Sequence, residues 1–408
     1  MKERQGLKEV WAAITFLFAL ATLYFLPVLI KGNSQVLSSI GTDTWSQYFY
    51  WRYFGYTSIA NGELPLWNPY IFSGTPYIAG IQSAIFYPLN LLYLLFATPF
   101  GINLNIAIHC FLASLFTYLF ARYLDLGRMG SLLSALTFTY GAPYFFHIYP
   151  GHLSNLSTMV WLPLMLMGIE AFLKNQEMKY AVLSGLPLSM QILAGHAQYL
   201  FYSNIAVALY FFISLIARER PWEKLPYSVI GFFSFLITGT ALSAVQLLPT
   251  LELTRHSVRE ALTYEWVSAF SLPPEKLITL LIPDFFGNLL DVSYWGKNYL
   301  WEMSVYLGVI PFAIAVLAII FDHSRHVLIF SFIAAASLIL ALGDHTPLLR
   351  FLYHFAPGFS MFRGLSKFTF VFAFAVSMLA GCGVKKLTTL AEEKRPELRY
   401  AAYALLGI

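Results

Sequence analysis

Runs of apolar residues close to the length of a bilayer crossing recur along the whole chain, separated by short polar turns. The first occupies residues 10–30, and later ones fall at 102–123, 129–147, 155–174, 179–194, 198–217, 226–249, 303–321, 326–342 and 367–386. A helix meets all its backbone hydrogen bonds internally, which a hydrocarbon surrounding demands. The pattern therefore predicts an all-α, polytopic integral membrane protein of about ten to eleven transmembrane helices. It forms a single multi-span domain over residues 1–408.

One apolar stretch breaks the pattern. Residues 84–97 are short and closed by Thr98-Pro-Phe-Gly101, which suits a re-entrant or interfacial piece. If this piece does not cross, most of the 25 basic residues share one side with Lys2, Arg4 and Lys8, and that side is cytoplasmic. Arg122, Arg128, Lys174, Lys179, Arg218, Lys385 and Lys386 all obey this sign, whereas a crossing at 84–97 would invert every later loop. The N-terminus is then cytoplasmic, and 31–83, 250–302 and 343–366 are long external loops. The first run is longer than a signal-peptide core and lacks a small-residue cleavage site, so it is read as a span. The chain stops inside an apolar run at 400–408, which predicts a span continuing in a longer protein.

Composition agrees with a membrane setting. Hydrophobic residues make up 58% of the chain and charged ones 11%, too few charges to coat a soluble body of this size. Mean hydropathy is +0.64. The net charge of +4 is small and sits in turns between spans, which gives membrane lipids as surroundings and no nucleic-acid partner. Cys110 and Cys382 lie in apolar runs without CxxC spacing, arguing for neither a disulfide nor a metal. Ionisable residues are nearly absent from the spans, which weakens an ion-coupled carrier. His109, the mid-span exception, reads as a hydrogen-bonded structural residue.

Polar chemistry collects in five external loops. The first contains Asp43, Gln47 and Arg52, then Gly-Glu-Leu-Pro-Leu-Trp-Asn-Pro-Tyr at 62–70 with Trp67 and Asn68. The second runs His147-Ile-Tyr-Pro-Gly-His152, and the third is Ala194-Gly-His196-Ala-Gln198. The fourth, 252–302, holds Asp284 and ends at Glu302, and the fifth, 343–367, holds Arg363 and Lys367. Any one such loop is explained by capping or interface anchoring; five on one side point to a site.

These residues also carry a family resemblance. Asp43-x-x-x-Gln47, the 62–70 motif, Gly74-x-Pro-Tyr77, Phe86-Tyr-Pro88, the two Gly-His turns, and Phe362-Arg-Gly-Leu-Ser-Lys-Phe368 before Leu379-Ala-Gly-Cys-Gly383 occur in this order. Over nearly the whole chain this resembles the bacterial YfhO-type membrane proteins. The resemblance implies a GT-C-like fold, that of multi-span glycosyltransferases taking a sugar from a polyprenyl-phosphate carrier at the outer leaflet. It implies a lipid-linked sugar donor and an envelope acceptor such as lipoteichoic acid, a glycolipid or a glycan. It also implies a catalytic acid in the first external loop, hence Asp43. Some GT-C enzymes use a divalent metal and others do not, so no cofactor follows.

The residues can be matched to that chemistry directly. A base must take the acceptor proton, and cations must hold the departing phosphate. Asp43 suits the first role; equally, it is placed to cap a helix over 44–56. Arg363 and Lys367, four apart, would share one helical face and offer a planar fork and a point charge to phosphate, or else snorkel to headgroups. Arg52 and Arg255 are reserves. His152, His196, Gln198, Gln47, Asn68 and Glu302 are candidate contacts to sugar or phosphate. Trp67, in a turn rich in proline, is the nominated stacking ring; Trp45, Trp51, Trp295 and Trp301 suit an interfacial belt. No third ligand stands at a recognisable spacing from the two histidine turns, so no metal site is assigned. Asp43 with Glu302 or Asp284 would hold a cation only if the fold joined them. A lipid or polysaccharide transporter without transfer, and a non-catalytic envelope-assembly scaffold, are the competing readings; sugar, acceptor and oligomeric state are left open.

Overall fold

Among the described residues, ten helices of 13 residues or more take up the apolar runs: α1 (Lys2–Leu29), α2 (Thr98–Tyr123), α3 (Gly127–Tyr140), α4 (Leu162–Asn175), α5 (Met178–Leu193), α6 (Ala197–Ile216), α7 (Pro221–Leu242), α8 (Val309–Phe321), α9 (Arg325–Leu342) and α10 (Thr369–Glu392). The computed structural model describes residues 2–39, 41–256 and 262–394; the run at 400–408 lies outside them. The described β-structure is one antiparallel pair, Trp67–Asn68 with Thr75–Pro76. Among the described residues, seven helical stretches are long and apolar enough to cross a membrane. The protein is an all-α membrane protein.

Several runs that hydropathy reads as continuous are broken, some of them at glycine or proline. The run 129–147 stops as a helix at Tyr140, and after the extended Gly141 it continues only as the short helix Ala142–Phe145, with Pro143 in its first turn, and a 3₁₀ turn. The run 155–174 divides into Leu153–Met159 and α4, which begins just before Pro163. Likewise, 226–249 divides at Ser243 into α7 and Ala244–Arg255. Helix α8 starts after Gly308, whose φ of +88° excludes helical continuation from 303. Residues 84–97 make only a 3₁₀ turn, Pro88–Leu91, and the four-residue helix Leu92–Leu95.

Helix α10 is the hub. Its apolar window is 89% buried, against 28% for α1 and 22% for α7, so the latter two present most of their apolar surface outward. It packs on α3, α8 and α9. The Gly381-Cys-Gly383 step allows this approach: a Cβ on Gly130 of α3 would strike the Gly381 carbonyl, and one on Gly383 would strike the Ile314 carbonyl of α8. Phe374 of α10 sits between Phe120 and Phe138, at ring distances of 6.2 and 5.3 Å.

The spans are not free of charge. Glu170, in the last turns of α4 and 3% exposed, accepts from Arg218 Nη2 at 2.7 Å, Arg325 Nη2 at 2.6 Å and Tyr210 Oη at 3.1 Å. His109, by contrast, is the structural residue expected: its ring meets Tyr87 Oη at 2.9 Å and the Asn105 carbonyl at 2.7 Å.

Candidate functional site

Parts of all five polar loops meet around a cleft of about 880 Å³. Asp43, Gln47, His152, His196, Gln198, Glu302, Arg363 and Lys367 line it.

Glycine brings the loops together. Gly151 has φ +71°, and a Cβ there would collide with the Thr44 side chain. The close approach lets the Asp43 N–H donate to the Pro150 carbonyl at 3.0 Å and Thr44 Oγ1 to the Gly151 carbonyl at 3.2 Å. As a result His152 Nε2 stands 3.3 Å from Asp43 Oδ2. Asp43 does precede a helical turn, Thr44–Tyr48, but its carboxylate makes no cap hydrogen bond and is 44% exposed. Capping therefore does not account for the acid.

Behind this pair the polar contacts continue inward. His152 Nδ1 lies 2.9 Å from His147 Nδ1, and His147 Nε2 lies 2.8 Å from Tyr199 Oη. Asn155 Nδ2 approaches both Nδ1 atoms, at 3.2 and 3.4 Å. Burial, followed by the nearby His152 and Lys367, pushes the His147 pKa well below the usual imidazole value. His196 is lowered in the same way, first by burial and then by the Lys367 charge. Its Nδ1 accepts the Tyr199 N–H at 3.2 Å, so this histidine caps α6 while its ring faces the cleft.

The cations differ in their freedom. Lys367 Nζ is tied to Glu302 Oε1 at 2.9 Å, with side chains only 15% and 6% exposed. Glu302 Oε2 is buried with no partner among the described residues. Arg363 is exposed and has no carboxylate partner there; its guanidinium rests over Trp266 at 5.1 Å and Phe270 at 5.3 Å. The two cations do not share a helical face as spacing suggested. Phe362 is extended, Gly364 turns at φ +77°, and a 3₁₀ turn over Leu365–Phe368 precedes α10. Gln198 holds this bend by donating to the Arg363 carbonyl.

Three nominated residues do not reach the lining. Arg52 is 2% exposed, donates to the Gln82 and Ser83 carbonyls, and faces the rings of Tyr48 and Tyr93. It braces a cleft-lining turn from behind. Trp67 lies on the outer hairpin against Gly74, and Asn68 Oδ1 accepts the Tyr70 N–H at 3.0 Å. Asp284 and Arg255 are also outside the lining. What the sequence concealed was a row of stacked rings: Phe270 on Tyr299 at 5.6 Å and 11°, and Tyr299 on Trp301 at 4.8 Å and 8°. Aromatic clustering in the 250–302 loop was its only signal. It also concealed that Glu302 meets the histidine turns: one oxygen of Glu302 and one nitrogen each of His147 and His152 lie within 4.8 Å of one another.

No family model matches this chain, and no curated protein matches it.

Proposed function

We propose that the protein is a GT-C-type membrane glycosyltransferase, moving a sugar from a polyprenyl-phosphate carrier to a cell-envelope acceptor at the external face. The observation carrying this reading is a single cleft that presents an exposed carboxylate, Asp43, and a guanidinium without a carboxylate partner among the described residues, Arg363. The Phe270, Tyr299 and Trp301 rings line the same cleft and give it an apolar wall against which sugar C–H groups would pack. The resemblance to YfhO-type proteins supports the same chemistry. The short elements at 84–97 favour a non-crossing piece, an N-terminus in the cytoplasm and a cleft outside.

In this reading Asp43 takes the proton of the acceptor hydroxyl, whose oxygen bonds to the anomeric carbon. The bond from that carbon to the phosphate oxygen breaks, and its electron pair stays on the polyprenyl phosphate. Arg363 grips the resulting charge through its planar fork, and Lys367 adds a nearby positive charge. His152, 3.3 Å from the carboxylate, orients Asp43.

The test is sugar transfer from a radiolabelled polyprenyl-phosphate monosaccharide in proteoliposomes, comparing the protein with Asp43→Asn. Transfer lost in the variant supports the assignment. Equal transfer removes Asp43 from the mechanism. No transfer in either, with the lipid still crossing, favours a transporter.

A further inference from the structure

Two imidazoles of one loop, His147 and His152, meet a carboxylate about 150 residues further along the chain, Glu302, beside Asp43. We propose that His147, His152 and Glu302 form a binding site for one divalent first-row transition-metal ion of the zinc class. Their ligating atoms all fall within 4.8 Å of one another. The two Nδ1 atoms are 2.9 Å apart. Nitrogens bonded to one zinc ion at about 2.0–2.1 Å stand roughly 2.9–3.4 Å apart for angles between a right angle and tetrahedral. The two nitrogens already stand at a zinc spacing, and the Glu302 carboxylate would close in on them to complete the site.

The far side of each ring is already arranged for ligation. His152 Nε2 faces the Asp43 carboxylate at 3.3 Å, and His147 Nε2 faces Tyr199 Oη at 2.8 Å. The Asp43 carboxylate only accepts, so it favours the His152 tautomer with its proton on Nε2 and its lone pair on Nδ1, the usual support of a metal-bound histidine; the Tyr199 hydroxyl is able to accept from His147 Nε2 in the same way.

An independent observation comes from Glu302. The residue is 7% exposed, its Oε1 is taken by Lys367, and its Oε2 is buried without a partner among the described residues. A buried carboxylate oxygen left unsatisfied is costly, and a cation would satisfy it. Two imidazole nitrogens and one carboxylate oxygen suit zinc, cobalt or ferrous iron better than magnesium, calcium or manganese, which prefer oxygen ligands. Three protein ligands leave a coordination position for water or a ligand oxygen. Without an ion, the Asn155 amide, 3.2 and 3.4 Å from the two Nδ1 atoms, is the donor that faces them, and it would turn aside to admit the metal.

The experiment uses the purified full chain in detergent, stripped with a chelator and titrated with Zn²⁺ against a fluorescent competitor. One equivalent should bind, and affinity should fall at least tenfold in Glu302→Gln and in the His147→Gln/His152→Gln pair. Asp43→Asn, which loses only the outer support, should weaken it about 10- to 100-fold. Absence of saturable binding, or unchanged affinity in the histidine pair, overturns the proposal. X-ray absorption of the zinc-bound wild-type protein needs no variant to fold. Two imidazole ligands are expected there, and a first shell without them overturns the site. These readouts are independent of sugar transfer, so failure of the catalytic reading leaves them intact.

Discussion

Asp43 Oδ2 and His152 Nε2 lie 3.3 Å apart although they belong to loops separated by α2 and α3. The contact aims an acid that caps nothing into the cleft. For Asp43→Asn we expect sugar transfer to fall about 100- to 10,000-fold, the range for losing a positioned base. The melting temperature in detergent should hardly change, because the carboxylate is 44% exposed. A large drop in melting temperature with the rate of the folded fraction preserved would make Asp43 structural.

Arg363 should matter for substrate and not for folding. The residue is exposed, and among the described residues its guanidinium rests over the rings of Trp266 and Phe270 with no carboxylate partner. Arg363→Gln should raise the donor KM by about tenfold or more, as expected for losing a charge-assisted contact of about 1.5–3 kcal/mol. Arg363→Lys should restore little, because an ammonium offers no planar fork. Donor-concentration kinetics alongside thermal melts check both statements; an unchanged KM in Arg363→Gln counts against phosphate binding.

The helices were legible where an apolar run is unbroken. The reading 198–217 became Ala197–Ile216, and 102–123 became Thr98–Tyr123. Hydropathy averages over Gly141-Ala-Pro143 and Gly308, whereas the backbone cannot, so those runs were misjudged. In the site, a carboxylate or a Gly-His turn stands out in a greasy chain because water-facing chemistry has few other reasons to be there. Whether a side chain turns toward the cleft is a tertiary matter. Arg52 and Asn68 looked equal to Gln47 in sequence, yet the first two are buried in their own loop and the last lines the cleft. Glu302 gave no hint of its two neighbours because Lys367 and His147 reach it from separate loops.

Lys367 and Glu302 are paired in near-isolation from solvent. Lys367→Met leaves a buried carboxylate uncompensated and should cost about 3–5 kcal/mol of stability. Adding Glu302→Gln should return most of that loss, since neither charge then remains. A denaturation series on the two single variants and the double variant measures the coupling. A double variant no more stable than Lys367→Met would mean that the lysine acts through packing alone.

Acid should loosen the cleft. Burial holds the His147 pKa well below 6.5, so the folded protein keeps the ring neutral where an unfolded chain protonates it. Below about pH 6.5 the unfolded state therefore binds more protons. The stability from this residue is complete above that pH and declines as pH falls toward the folded value, by up to about 1.4 kcal/mol per unit. Melting temperature should drop between pH 7 and pH 5, and the slope should be shallower in His147→Gln. An identical slope in the variant would assign the acid sensitivity to other groups.

Glu170 tests whether a charged cluster far along the bundle is separable from the cleft. It is 3% exposed and accepts from Arg218, Arg325 and Tyr210, so one carboxylate neutralises guanidinium groups from two different connections between helices. Removing it in Glu170→Ala strands both arginines, whose side chains are only 13% and 28% exposed. The more exposed Arg325 can recover water and Arg218 much less, so the loss should approach the 3–5 kcal/mol of a broken buried pair without doubling it. None of the four residues lines the cleft, so folded Glu170→Ala should keep the donor KM. If KM rises in step with the loss of stability, the two regions are coupled through α4 and α6, and the cluster helps to set the geometry of the site.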